Sequence, residues 1–238
     1  MTDVVTFCRS LASRADTVEA RQALFREELL PRRYSGTLHA SCTVAFTLVP
    51  AVVAFACVDT FGVAEAITVA AAIVFGTTTV YLLHRVLMHK SRPPLHVIYD
   101  MHTRCHHMLF NEGQTEIRSI QDLYMVLFPP RWTIALALVG VPLLAAPLLL
   151  VSVDVALTFG GVAYLYFLGY ELIHLAAHLP DRSVVHRIPV LRQARIDARP
   201  ISALEARACS RSLTGTTTAP GNFGFTYCAT SPAESASV

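Results

Sequence analysis

His84–His107, HRVLMHKSRPPLHVIYDMHTRCHH, carries six of the chain's ten histidines within 24 positions. A long apolar run ends where this stretch begins, and another starts about 25 residues after it. Histidines grouped at the water-facing ends of hydrophobic helices point to a metal site at a membrane surface. The rest of the chain is read outward from this cluster.

Hydrophobic residues make up 53% of the 238-residue chain and charged residues 15%, and the mean hydropathy is +0.48. A soluble domain carries about 25% charged residues, so this surface cannot all face water. Four apolar runs, Leu38–Val58, Val63–Leu83, Thr133–Val153 and Val155–Leu175, contain neither Lys nor Arg. Each has roughly 20 residues, and at about 1.5 Å per residue a helix of that length crosses a hydrocarbon core of about 30 Å. All nineteen Lys and Arg lie before Leu38, between Leu83 and Thr133, or after Leu175. The positive-inside rule then puts the N-terminus, the histidine segment and the C-terminus in the cytoplasm. The expected fold is an all-α integral membrane protein, with four transmembrane helices in two hairpins under a cytoplasmic histidine-rich helical cap. A bacterial inner membrane is the expected location, or the endoplasmic reticulum in a eukaryotic cell. A formal charge of +2 gives no reason to expect a nucleic-acid partner.

Three segments are expected: an interfacial one over 1–37, the membrane domain over 38–193, and an atypical tail over 194–238. The first 37 residues lack the apolar core of a cleavable signal peptide. Val18, Leu24, Phe25 and Leu29–Leu30 among Arg and Glu read as an amphipathic helix lying along the headgroups. His39, alone in its span, reads as structural. Cys8, Cys42, Cys57, Cys105, Cys209 and Cys228 are scattered, show no CxxC pair and fall mostly in the membrane or on the reducing side. No disulfide framework is expected.

Within the cluster, His84 and His89 stand about 140° apart on an ideal helix, so they converge only if the helix end deviates, or else they serve different ions. Pro93–Pro94 breaks that helix. His102 and His106 then share one face at i, i+4, with His107 about 100° further round, a spacing that reaches two neighbouring ions. The following MLFNEGQTEIRSIQDLYMVLFPPRW is amphipathic and suits an interfacial helix; Glu112, Glu116 and Asp122 read as solvated, with Glu116 a candidate partner for a ligand imidazole. The last apolar run ends in GYELIHLAAHLPDR, which puts His174 and His178 on one face, with Glu171 one turn earlier and placed to orient a ligand imidazole.

HRVLMH, then HTRCHH, then a second apolar pair ending in HLAAH, resembles the fatty acid hydroxylase / sterol desaturase superfamily of membrane di-iron oxygenases. The resemblance runs from about Tyr34 to Gln193 and includes LFPP and YELIHLAAHLP. It implies His84, His89, His102, His106, His107, His174 and His178 as metal ligands, although HTRCHH has three residues before its HH pair where the family's box has two. It also implies two iron ions, with zinc as a substitute, and a lipid taken from the bilayer. Electrons would come from an external reductase, ferredoxin or cytochrome b5-type carrier. His96 and His186 match no box position.

The family's final box, HxxHH, has no counterpart, because no histidine follows His186. Asp197 offers an oxygen ligand in that region, but one carboxylate does not replace three imidazoles. From Ala194 the sequence is rich in Ala, Arg, Ser and Thr without helical periodicity, and back-translation of Arg211–Pro220 admits a neighbouring frame closer to the family's ending. A disordered tail of frameshifted origin is therefore one reading of 194–238.

All-imidazole ligation suits iron, zinc or copper rather than calcium or magnesium. A zinc hydrolase would want its base as in HExxH, and a nucleotide-linked oxidoreductase a Gly-rich fingerprint; neither occurs. Two readings stay open: a lipid hydroxylase or desaturase using O2, and a degenerate relative with an incomplete metal site.

Overall fold

The apolar runs form helices because their ends are chemically marked. The computed structural model describes residues 2–93, 95–110 and 114–198, which excludes nearly all of the segment read as a tail. Among the described residues the secondary structure is helical, without strands. Helix α1 is Thr2–Arg14 and α2 is Val18–Leu24. Four helices, α3 (Gly36–Ala56), α4 (Val63–Met88), α5 (Pro130–Leu150) and α6 (Val153–His178), are long and apolar enough to cross a membrane. The last helix, α7 (Pro189–Ala198), crosses the sequence boundary drawn at residue 194.

Ser35 Oγ accepts from Leu38 N–H at the start of α3, and Ser152 Oγ from Val155 N–H at the start of α6. At α4 the Glu65 carboxylate accepts from Gly62 N–H. Each oxygen takes one of the first-turn donors that a helix cannot satisfy itself. Pro130 opens α5, where its missing N–H costs nothing.

Inside α5 the sequence carries Pro142 and Pro147, and the helix changes pitch at both. Leu136–Gly140 is π-helical, with Val141 N–H reaching back to Leu136 O. In that register the next donor would be Pro142, facing Ala137 O, and proline has none. The hydroxyl of buried Tyr164 on α6 fills the gap, donating to Ala137 O at 2.6 Å. A carbonyl freed inside an apolar layer needs such an internal partner.

The central helix is α6, which packs against α3, α4, α5 and α7. Close approach uses glycines: a Cβ on Gly161 would lie 2.8 Å from the Phe55 ring, and one on Gly76 2.8 Å from the Tyr166 ring. Away from these contacts large apolar side chains are exposed, such as Val74 at 65% and Leu143 at 70%. Such a surface suits hydrocarbon rather than water.

Asp154, at the start of α6, accepts from the backbone N–H of Asp59 (3.0 Å) and Thr60 (3.1 Å) and from the Thr60 hydroxyl (2.7 Å). The connector between α3 and α4 is thereby tied to α6. Asp154→Ala is expected to lower the melting temperature of detergent-solubilised protein modestly without preventing folding. An unchanged melt would show that these bonds only replace bonds to water.

The N-terminal residues depart from expectation. Cys8, Leu11 and Phe25 are buried in one cluster with Cys105, Leu109, Phe110, Met125 and Val126. Of the stripe read from the sequence, Phe25 lies in this cluster and Leu24, Leu29 and Leu30 pack against it, partly buried. An amphipathic stripe looks the same whether its partner is lipid or protein. Cys8 and Cys105 are joined by a disulfide across 97 positions, where no disulfide framework was expected.

Asp122, expected in solvent, is 2% exposed. Its Oδ1 accepts from Arg26 Nη1 at 2.8 Å, and its Oδ2 from the backbone N–H groups of Arg118 and Ser119. The charge is buried because each oxygen is partnered.

Candidate metal centre

Local helix geometry brings the histidines together. The end of α4, Leu83–Met88, is π-helical, as is Asp100–His106. A π-turn bonds i to i+5 and widens the helix, so residues five apart draw toward one face. The predicted divergence of His84 and His89 disappears: their rings are 4.6 Å apart and their Nε2 atoms 3.4 Å. The same change of pitch in HTRCHH places the His102 ring 5.3 Å from that of His106 and 4.9 Å from that of His107. The Thr103 hydroxyl donates to Met88 O at 2.5 Å and so links the two π-helical segments.

The seven histidines singled out from the sequence converge. His84, His89 and His102 form one group whose nitrogens could share an ion, and His106, His174 and His178 form another. In the second group the ring centroids are 4.9–5.3 Å apart. His102 stacks on His106 with 10° between the planes, joining the two groups. His107 lies at the junction, 5.3 Å from His89 and 5.5 Å from His106.

Backbone carbonyls set the tautomers. His106 Nδ1–H donates to Met125 O at 2.9 Å, and His178 Nδ1–H to Thr115 O at 2.7 Å. In this tautomer the lone pair of each ring is on Nε2, the usual arrangement of a metal-ligating histidine. His102 Nε2 is buried without a hydrogen-bond partner, a state that costs about 1–3 kcal/mol unless something binds there. The donor set, the tautomers and this atom together fit a metal ion held by nitrogen.

Electrostatics favour the same state. Burial, followed by repulsion from neighbouring rings, lowers the pKa of His102 and His107, the latter to about 3. Burial lowers His106 to about 4 despite its bond to Met125 O. These rings stay neutral, as ligation requires. In the metal-free protein, protons bind the unfolded chain near pH 6.5 before they bind the folded one near pH 4 or 3. Acidification from pH 6.5 to 4 therefore favours unfolding. The melting temperature of metal-free protein is expected to fall steadily over that interval, and a flat profile would mean that the rings are hydrated.

Other expected participants do different work. Glu171, placed by its spacing to orient an imidazole, instead accepts from Phe128 N–H at 2.8 Å. Glu116 Oε1 accepts from Asp181 N–H at 3.3 Å. His186 Nε2 donates to Ala176 O at 3.0 Å, capping the end of α6. His39 Nε2 donates to Phe128 O, and its Nδ1 accepts from the Tyr34 hydroxyl, a structural role as read from the sequence. The side chains of His96 and Asp197, and all of Glu112, lie outside the described ones. Sequence reasoning missed Met125 and Thr115, which act through carbonyls that every residue has, and Thr103, whose role rests on one hydroxyl.

Fold and site together define a helical protein with four membrane-length helices and histidine groups that could hold metal. The chain matches no family model, and comparison with curated proteins and with solved structures finds no match either.

Proposed function

We propose that this chain is a membrane-bound non-haem di-iron oxygenase that hydroxylates or desaturates a lipid, using O2 and electrons from an external donor. The observation that carries the reading is the convergence of seven histidines into two three-membered groups and a junction ring, where two apolar helices end. The distribution of basic residues supports two helical hairpins with this end facing the cytoplasm. The resemblance of HRVLMH, HTRCHH and HLAAH to the fatty acid hydroxylase / sterol desaturase boxes supplies the metal and the reaction class.

Iron held here would supply the oxidising power to attack an unactivated C–H bond. His84, His89 and His102, and His106, His174 and His178, would hold it; Met125 O and Thr115 O orient two of these imidazoles, and burial keeps the rings unprotonated. The apolar ends of α4 and α6 give an aliphatic substrate a route from the bilayer, and the cover of α1 and α2 limits water.

A second reading, a degenerate relative with an incomplete site, is favoured by one observation: no histidine follows His186 to supply the last box. Metal analysis of the purified chain separates the two. Two irons per chain support the oxygenase, and one or none the degenerate form. Lipid profiling of cells with and without the protein tests the reaction; a gain of one oxygen or a loss of two hydrogens in one lipid class is expected, and identical profiles overturn it.

A further inference from the structure

We infer that Glu171 is a positioning residue of the metal centre, holding the turn at Phe128 so that the Met125 carbonyl keeps His106 in register with His174 and His178. The inference rests on the reading of these histidines as metal ligands.

His174 and His178 belong to α6, one turn apart, and share its rigidity. His106 belongs to another segment, and its ring is oriented by Met125 O at 2.9 Å. Met125 sits in the helix Leu123–Val126, a single turn that cannot persist by its own hydrogen bonds. Its position must be imposed from both ends. At the leading end, buried Asp122 accepts two backbone N–H groups and the Arg26 guanidinium. At the trailing end the work falls to Phe128.

Both polar groups of Phe128 are tied to membrane-length helices. Its N–H donates to Glu171 Oε2 at 2.8 Å, and its carbonyl accepts from His39 Nε2 at 3.0 Å and Thr133 Oγ1 at 3.3 Å. The short helix closes one residue earlier, with Leu127 N–H on Leu123 O, and Pro129 and Pro130 bring no donors. Glu171 itself is 2% exposed, and a carboxylate in such a place is costly unless it meets a specific need. Standing three residues before His174, it fixes the turn at a set distance from the two α6 ligands. Three imidazoles from two segments then meet at one point.

The test is a Co2+ titration of the full-length protein in detergent, read by visible absorption of the bound ion. Wild type is expected to fill two sites. Glu171→Leu is expected to weaken one of them by about 10–100-fold, the usual effect of losing an outer partner of a ligand, and to leave the other unchanged. Glu171→Gln, which retains an acceptor oxygen, is expected to titrate like wild type. In a His106→Ala background, Glu171→Leu should have no further effect. Should Glu171→Leu not fold, Glu171→Asp, which draws the acceptor back by one methylene, carries the test with the same single-site loss expected. Unchanged two-site titration in the leucine or aspartate variant, or equal weakening of both sites, overturns the inference while sparing the metal reading. A wild type that takes up no Co2+ overturns both.

Discussion

On the proposed di-iron reading, His106→Ala and His174→Ala are each expected to lose one of two metal ions and to retain less than about 1% of wild-type turnover. Loss of an outer partner already costs about 10–100-fold in affinity or activity, and removing a ligand goes further. The geometry makes His106 the sharper case. Its ring stands 5.3 Å from His174 and 4.9 Å from His178, and it also stacks on His102 of the other group. Removing it opens one group and takes away the ring stacked on His102, whose own group of three nitrogens remains. His174→Ala opens the same group from α6 and leaves His102 in place, so the first site should survive better in that variant. Metal content of the folded variants, with turnover beside it, checks both. Full metal content or retained turnover in either removes that residue from the ligand set.

Gly36→Ala is expected to destabilise the fold by about 3 kcal/mol or more, at the upper end of what overpacking costs. A Cβ at this position would lie 1.9 Å from Ile120 O and 2.7 Å from Ile120 C. These are backbone atoms, which no rotamer change moves. Ile120 opens a short turn whose capping residues, Ser119 and Asp122, are themselves held, Asp122 by Arg26. The added methyl must therefore push α3 and the 119–122 turn apart, and that turn leads into the helix carrying Met125. Gly161→Ala is the control: the nearest atoms to its new Cβ are those of the Phe55 ring, at 2.8 Å, and a side chain can swing aside at smaller cost. Thermal or denaturant unfolding in detergent compares the two. A Gly36→Ala protein as stable as wild type would show that the backbones can separate freely.

How much was legible beforehand varies by element. The four long helices were readable because length and apolar character are properties of a contiguous stretch, and their observed ends lie within a few residues of the expected ones. Pitch was not readable. Ideal 3.6-residue geometry set His84 and His89 apart, and only the π-turns brought them together. The amphipathic stripe of the first 37 residues was visible, but not the surface it covers. Asp122 and Glu171 were noticed as acids, yet their partners are backbone amides and an arginine far away in sequence.

The sequence by itself determined that this chain has four helices of membrane length and that its histidines crowd at their ends. Local composition suffices for that, because hydropathy and helical period act over neighbouring residues. Only the tertiary structure decided that two groups of three nitrogens form, that Met125 and Thr115 carbonyls set the tautomers, that Cys8 is bonded to Cys105, and that α1 and α2 pack against Asp100–Leu109. These depend on helix pitch, on backbone groups common to every residue, and on contacts spanning up to about a hundred positions. No pattern of residue types along the chain records them.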